Sequence, residues 1–165
     1  MKIGVLTVSD RASTGEYEDQ SGPLIAQILE GRTNWSIAHQ AVVPDDPDRI
    51  SEQLIDWCDE GAALILTSGG TGFAPRDVTP EATRRIIERE APGIAEALRA
   101  ESLKITRHAM LSRAVAGIRG RTLIVNMPGN PKAVRENLEV LLPVLPHALD
   151  LLQESPGGEA AHRSV

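Results

Sequence analysis

The amino-acid sequence predicts an α/β fold, namely a three-layer α/β/α arrangement with a mostly parallel central sheet. Short runs rich in valine, isoleucine and leucine alternate with segments of helical periodicity, which is the pattern of repeated β–α units. One run, residues 62–67, is apolar at nearly every position, as expected of a strand that helices cover on both faces. The length of 165 residues corresponds to one domain, at roughly 150 residues per domain.

The first strand is predicted over residues 3–8, a compact run of aliphatic side chains. The polar segment 10–20 is predicted to be a loop. Ser21 should then cap a helix that ends at Gly31, because a serine hydroxyl can bind the first unpaired N–H groups and glycine is common where helices stop.

The second strand is predicted over residues 35–43. Asp46 precedes a proline and should cap the next helix, which closes at Gly61. The apolar strand 62–67 follows. It leads into the glycine-rich segment 68–78, which we expect to be a loop.

Thr79 offers a capping hydroxyl for a helix that runs to about Glu90. The helical pattern resumes after Gly93 and runs to about Leu103. Residues 104–119 have mixed character, and we interpret them as a short helix near 108–111 followed by a strand.

The last predicted strand covers residues 121–127. A sharp turn at 128–131 leads into a helix over 132–142, and a further helix follows it. We therefore expect residues 1–153 to form a single domain. Residues 154–165 have few large apolar side chains and should form a flexible tail.

Composition excludes several functional classes. Acidic residues outnumber basic ones by 23 to 17, and aromatic residues are 2% of the chain, so no nucleic-acid partner is expected. The single cysteine, Cys58, excludes a disulfide framework and is expected in the core. No run approaches the ~20 apolar residues of a membrane span, and no signal-peptide pattern opens the chain. We therefore expect a cytoplasmic protein with no membrane partner.

Ligands of parallel α/β sheets bind beyond the carboxyl ends of the strands, where three loops stand out: residues 43–47, 67–80 and 126–131. In the second loop, three glycines within four positions permit positive φ angles and leave N–H groups for a ligand, which suits phosphate. A plain glycine-rich turn is the competing interpretation. The third loop is a rigid, proline-bracketed turn before another helix N-terminus.

Asp77 and Asp45 indicate a metal ion. Asp77 follows the glycine-rich loop, where it would repel a phosphate unless a cation lay between them. Mg²⁺ held by carboxylates and substrate phosphates is such a cation. Asp45 ends another strand and is the natural second carboxylate. In the alternatives, Asp45 forms a turn with Asp46, or Asp77 pairs with Arg76 at the surface.

The sequence also resembles a known family, the molybdopterin adenylyltransferases of the MogA type, and the corresponding domains of gephyrin and its plant counterpart. The resemblance spans about residues 3–152 and implies the fold of that family. It rests on five segments: residues 6–10, 42–45, 68–83, 102–113 and 126–131. We expect no second domain for metal insertion of the kind that plant and animal relatives carry.

The resemblance implies that ATP and molybdopterin react, with Mg²⁺, to give adenylyl-molybdopterin and pyrophosphate. It also implies a homotrimer and a separate molybdenum insertase as partner. Asp77 and Asp45 match important carboxylates of the family, to be assigned to Mg²⁺ and polyphosphate positioning, and Ser112 matches a serine at the molybdopterin site. The other positions expected to contact the substrates are Thr7, Ser9, Asp10, Gly69, Gly70, Thr71, Gly72, Asn126, Pro128, Gly129 and Asn130.

Three other functions stay open at this point. A non-catalytic molybdopterin-binding protein of the MoaB type would keep the pterin loops and lose the paired carboxylates. A different nucleotide enzyme on the same fold, such as the pyrophosphatase-like module of competence-damage proteins, would release AMP from a dinucleotide. A scaffold of the gephyrin kind would need further domains. The presence of both Asp45 and Asp77 favours the adenylyltransferase.

Overall fold

The computed structural model describes residues 1–154, whose six strands form one sheet. The strands are β1 (Lys2–Val8), β2 (Ser36–Val43), β3 (Leu64–Ser68), β4 (Arg89–Glu90), β5 (Ala116–Arg119) and β6 (Thr122–Met127). The helices are α1 (Asp10–Ser13), α2 (Ser21–Arg32), α3 (Pro47–Asp59), α4 (Thr79–Ile86), α5 (Pro92–Leu103), α6 (Pro131–Leu141) and α7 (Leu145–Leu152), with a 3₁₀ helix at Arg107–Leu111. The predicted flexible tail lies, from residue 155 onward, outside the described residues.

The strands are ordered β2-β1-β3-β6-β5-β4 across the sheet. The first four are parallel, β5 is antiparallel to β6, and β4 is antiparallel to β5. The predicted mostly parallel sheet is therefore confirmed. The chain passes from β1 to β2 on one side and then to β3 on the other. The carboxyl ends of β1 and β3 thus form the switch point at which sheets of this type bind ligands.

Two apolar cores cover the two faces of the sheet. One packs α2, α5, α6 and α7 against side chains that include Val5 and Leu66, and the other packs α3 and α4 against Leu6 and Ile65. Adjacent residues of a strand point to opposite faces, so β3 contributes to both cores at once. This explains the nearly continuous apolar run that predicted a doubly covered strand. No helix between residues 1 and 154 combines the length and the apolar character that spanning a bilayer requires.

The expected loop over residues 10–20 is wrong at its start, where α1 forms one helical turn. Ser9 explains the difference. Its backbone is extended, and its Oγ accepts a hydrogen bond from the Ala12 N–H at 3.2 Å, so that it acts as the N-cap.

Ser21 and Thr79 do not cap their helices as predicted. Asp19 caps α2 instead, because its Oδ1 accepts hydrogen bonds from the first two N–H groups of that helix at 3.1 and 3.0 Å. The Ser21 hydroxyl donates to the carbonyl oxygen of Gly129 and the Thr79 hydroxyl to that of Gly69. Both hydroxyls therefore connect helices to the strand-end loops.

Two predicted helix ends were also wrong. Helix α4 stops at Ile86 instead of Glu90, because the next residues pair with β5 as the short strand β4. Helix α2 continues one residue past Gly31. Cys58, expected in the core, is only half-buried at its edge, whereas the neighbouring Trp57 is buried.

Candidate active site

All fourteen residues predicted to form the site line three neighbouring pockets at the carboxyl ends of the parallel strands. The carboxylate pocket, about 410 Å³, is lined by Val8, Ser9, Asp10, Arg11, Asp45, Gly70, Ala74 and Asp77. The strand-end pocket, about 380 Å³, includes Thr7, Ser9, Gly69, Gly129 and Asn130. The apolar pocket, about 260 Å³, includes Thr71, Gly72, Ser112, Asn126 and Pro128.

Reciprocal hydrogen bonds join Asp10 and Asp45 in the carboxylate pocket. The Asp10 N–H donates to Asp45 Oδ2 at 2.9 Å, and the Asp45 N–H donates to Asp10 Oδ1 at 3.0 Å. Arg76 donates from Nε and Nη2 to the two oxygens of Asp10, at 2.6 and 2.9 Å. This hydrogen bonding to Arg76 lowers the pKa of Asp10. Arg76 thus pairs with Asp10, and the alternative in which it pairs with Asp77 is wrong.

Asp45 and Asp77 are both suited to hold a cation. Burial raises the pKa of Asp45 above its usual value, and the negative charges of Asp10 and Asp77 raise it further. One oxygen of Asp45 accepts the Asp10 N–H, and one oxygen of Asp77 accepts the Ala74 N–H at 3.0 Å. The second oxygen of each carboxylate has no hydrogen-bond partner within residues 1–154.

The glycine-rich loop has a backbone that other residues would not adopt. Gly69 has a φ of +100°, and a Cβ there would lie 2.3 Å from the carbonyl oxygen of Val8. The N–H groups of Gly70, Thr71 and Gly72 make no hydrogen bond to any described residue. Three consecutive unpaired donors at a strand end form a cradle for an anion.

Arg113 holds the other half of this loop. Its N–H donates to the Thr71 carbonyl oxygen at 2.9 Å, and its Nε donates to the Gly72 carbonyl oxygen at 2.7 Å. Its Nη2 donates to the Asp77 carbonyl oxygen, and its Nη1 pairs with Glu81 in the first turn of α4. One side chain therefore contacts both the glycine-rich end and the carboxylate end of the loop.

Hydroxyl groups fix the strand-end pocket. The Thr7 hydroxyl donates to Asp19 Oδ2 at 2.7 Å, and the Ser68 hydroxyl donates to the Pro128 carbonyl oxygen at 3.0 Å. Asn130 caps α6, because its Oδ1 accepts the Lys132 N–H at 2.8 Å. The turn at 128–131 is thus held from several sides, as its proline-bracketed sequence predicted.

Ser112 and Asn126 contribute differently to the apolar pocket. Asn126 is buried, and its Nδ2 donates to Thr67 and Thr83 at 3.0 and 2.9 Å. Its Oδ1 accepts the Val115 N–H at 3.2 Å, so its amide is engaged in joining the strands and α4. Ser112 follows the 3₁₀ helix and is only partly buried, which leaves its hydroxyl near the pocket space.

Sequence reasoning gave Arg76 only a surface pairing with Asp77 and assigned no role to Arg113, Asp19 or Tyr17. Arg113 lies within a motif used for the resemblance, but its partners are 32 to 42 positions away, and no local pattern marks them. Tyr17 lines the strand-end pocket, and the Arg11 guanidinium lies 5.4 Å from the centre of its ring. An exposed aromatic residue in a chain with few aromatic residues is a signal that could have indicated it.

The arrangement can bind a polyanion and balance its charge. The unpaired N–H groups suit phosphate oxygens, and the carboxylate pair suits a divalent cation that bridges to those oxygens. Among residues 1–154, no three histidine, cysteine, aspartate or glutamate side chains come together as a metal site. The apolar pocket beside the loop can take a less polar part of a ligand.

Comparison with known proteins identifies the family of this chain. A sequence family described as "Probable molybdopterin binding domain" matches residues 4–147. Molybdopterin adenylyltransferase of Helicobacter pylori (strain J99) is 48% identical over 91% of this chain and 86% of its own length. Gephyrin of Dictyostelium discoideum is 46% identical over 98% of this chain, which spans only 24% of gephyrin. The solved structure of the molybdopterin biosynthesis enzyme MoaB from Thermus thermophilus superimposes with a TM-score of 0.88, at 52% identity, over 94% of this chain and 98% of that chain.

Proposed function

The chain belongs to the family of probable molybdopterin binding domains, and we propose that it acts in molybdenum cofactor biosynthesis as a molybdopterin adenylyltransferase. In the proposed reaction, a terminal phosphate oxygen of molybdopterin forms a bond to the α-phosphorus of ATP. The bond from that phosphorus to the bridging oxygen breaks, and pyrophosphate leaves. The relatives that are named for this activity support the proposal.

The observation that carries the proposal is the conjunction of an anion cradle with a carboxylate pair. The unpaired N–H groups of Gly70, Thr71 and Gly72 lie in the loop that ends at Asp77, and Asp45 lines the same pocket as Gly70. A protein that only binds molybdopterin needs an anion cradle for its phosphate but has no need of two neighbouring carboxylates with unpaired oxygens. A reaction between two phosphates needs both features, because several negative charges must be brought together.

The reaction requires no nucleophilic side chain from the protein. The attacking group is a substrate phosphate and the leaving group is pyrophosphate, so the protein contributes by positioning and by charge stabilisation. The backbone donors of the glycine-rich loop orient the phosphate oxygens. Arg76 and Arg11 add positive charge at the edge of the carboxylate pocket.

Asp45 and Asp77 would hold Mg²⁺. The fit rests on the donor set, namely two carboxylates with one unpaired oxygen each, and on the raised pKa of Asp45, which a bound cation would reverse. When bound, Mg²⁺ neutralises charge on the polyphosphate and on the departing pyrophosphate. Asp10 is held by Arg76 and is therefore assigned to fixing Asp45.

The three pockets suggest how the two substrates divide the site. The apolar pocket with Ser112 suits the pterin of molybdopterin, and the strand-end and carboxylate pockets suit ATP. The two latter pockets share Ser9 and Arg11, so one nucleotide can extend from one into the other. The glycine-rich loop lies between the two substrates, where the phosphates would meet.

The proposal also includes the cellular setting. Adenylyl-molybdopterin is an activated intermediate, so a molybdenum insertase is proposed as the partner that receives it. A homotrimer and a cytoplasmic location are proposed from the resemblance to the family and from the composition of the chain.

The test is pyrophosphate release from ATP and Mg²⁺, measured with and without molybdopterin. Wild type should release pyrophosphate only when molybdopterin is present. Asp77→Asn should lower the turnover by about 10²-fold or more, because it removes charge stabilisation in the transition state. Asp56→Asn is the matched control, since Asp56 is an exposed aspartate in the last turn of α3, at the opposite end of that helix from Asp45, and should leave turnover unchanged.

Two results would contradict the proposed role of Asp77 or the proposed function. Equal turnover of Asp77→Asn and wild type would remove Asp77 from the mechanism. Tight molybdopterin binding without any pyrophosphate release would indicate the non-catalytic binding protein instead.

A further inference from the structure

We propose that Arg113, held by Glu81, is a positioning residue that sets where the Asp77 carboxylate lies relative to Asp45. The inference goes beyond the proposed function by adding a residue to it, and it depends on that function for its catalytic readout. Its structural readout, the rigidity of the loop, is independent of any activity.

The geometry of the guanidinium group is the first observation. Nε donates to the Gly72 carbonyl oxygen at 2.7 Å, and Nη2 donates to the Asp77 carbonyl oxygen. The segment from residue 72 to residue 77 is therefore held at both ends by one planar group. The Arg113 backbone N–H adds a third contact, to the Thr71 carbonyl oxygen at 2.9 Å. A guanidinium presents several donors in a fixed plane, whereas an ammonium group has no such fixed spacing.

The environment of Glu81 is the second observation. Oε1 pairs with Arg113 Nη1, while Oε2 is buried and has no hydrogen-bond partner among residues 1–154. An unsatisfied buried carboxylate oxygen is unfavourable and calls for an explanation. We explain it by the role of Glu81 in orienting Arg113. Glu81 belongs to the first turn of α4 and thereby connects the guanidinium to a packed helix.

Helix α4 also fixes the opposite side of the glycine-rich loop. The Thr79 hydroxyl donates to the Gly69 carbonyl oxygen at 2.9 Å, and the Thr79 N–H donates to the Gly70 carbonyl oxygen at 3.1 Å. The start of the loop is thus held by Thr79 and its end by Arg113 and Glu81. Helix α4 therefore holds both ends of the loop.

This arrangement has a consequence for the carboxylate pair. The carboxylate of Asp45 is fixed by the backbone N–H of Asp10, which lies outside the loop, although the Asp10 carboxylate also pairs with Arg76 of the loop. Asp77 moves with the segment that Arg113 holds, since its own carboxylate accepts the Ala74 N–H within that segment. Releasing the guanidinium contacts would therefore change the spacing between Asp77 and Asp45. A displacement of about 1 Å at a reacting centre can lower a rate by about 10²-fold.

The experiment compares wild type with Arg113→Lys and with a matched control, Arg85→Lys. Arg85 also pairs with a carboxylate from another element, Asp48 at 3.0 Å, but it lies on the exposed side of α4, away from the loop. Three quantities are measured: the melting temperature, the hydrogen exchange rate of the Ala74 amide, and the kcat and KM for pyrophosphate release.

In Arg113→Lys, the Ala74 amide should exchange about 10-fold faster or more, since the segment that protects it opens locally. The kcat should fall by about 10²-fold, while the KM for ATP should change much less, because ATP binding depends mainly on the glycine N–H groups. Arg85→Lys should match wild type in Ala74 exchange and in kcat. Adding Glu81→Gln to Arg113→Lys should cause little further loss, because both changes break the same contact.

A purely structural role predicts a different pattern. A lower melting temperature with wild-type Ala74 exchange and wild-type kcat would overturn the proposal, as would independent, multiplicative losses in the double variant. If wild type releases no pyrophosphate but Arg113→Lys still accelerates Ala74 exchange, the proposed function fails and the positioning role stands.

Discussion

Gly69→Ala should destabilise the fold strongly, because two separate effects act at this position. The φ of +100° is one that residues with a side chain rarely adopt. In addition, a Cβ at residue 69 would lie 2.3 Å from the carbonyl oxygen of Val8 and 3.4 Å from its carbonyl carbon. Val8 ends β1 in the interior of the sheet, so this obstacle is backbone and not a side chain that could turn away.

The two effects give an approximate magnitude. The left-handed backbone costs a residue with a side chain about 1–2 kcal/mol. Forcing an additional carbon into a packed site costs about 1–3 kcal/mol. The free energy of unfolding should therefore fall by about 2–5 kcal/mol. For a chain of this size, each kcal/mol lowers the melting temperature by about 2–4 °C. The melting temperature should thus fall by about 4–20 °C.

Two glycine controls separate the two effects, and the assay is thermal unfolding followed by calorimetry. Gly61 has a φ of +84°, and a Cβ added there would meet nothing within 4 Å, so Gly61→Ala should lose only the backbone contribution of about 1–2 kcal/mol. Gly31 lies in α2 with open space around it, so Gly31→Ala should raise the free energy of unfolding by about 0.5–1 kcal/mol. Equal losses for Gly69→Ala and Gly61→Ala would refute the steric part of the reasoning.

Two further predictions concern the substrate site and the carboxylate pair. Ser112→Ala should weaken molybdopterin binding by about 1–3 kcal/mol, measured by fluorescence titration, and an unchanged affinity would remove Ser112 from the site. Burial raises the pKa of Asp45 in the folded state, so its carboxyl contributes stability below its unfolded pKa, near 3.8, that is lost as the pH rises through the folded pKa. The melting temperature of Asp45→Asn should therefore rise relative to that of wild type as the pH increases from about 3 to 7. A difference that stays constant across that range would contradict this account.

Local patterns were sufficient for most of the fold. The apolar run of β3 predicted a strand between two layers because each of its faces meets a helix layer. Asp46 was correctly predicted to cap α3, since the N–H groups it accepts, from Asp48 and Arg49, are only two and three positions away. Interactions of this range are determined by a few neighbouring residues, so the sequence alone predicts them.

Distant partners explain the failures. Ser21 and Thr79 have the residue types and positions of caps, but their hydroxyls bind the carbonyl oxygens of Gly129 and Gly69 instead. The first of these contacts joins residues 108 positions apart. Strand β4 has only two residues and exists because it pairs with β5. The contacts of Arg113 were missed for the same reason, since nothing near it in sequence indicates its partners.

Several unfavourable features of this molecule lie close together. The half-buried carboxylate of Asp45, the unpaired oxygen of Glu81 and the unpaired N–H groups of the loop all surround the same strand ends. Each is unfavourable in the free protein, so folding alone would not select them together. A bound polyanion with its cation would satisfy the N–H groups and offset the charge of Asp45. Ligand binding should therefore stabilise the fold in proportion to the logarithm of ligand concentration. The glycines and aspartates of this proposed site stand out in the local sequence, whereas the arginine that holds them does not.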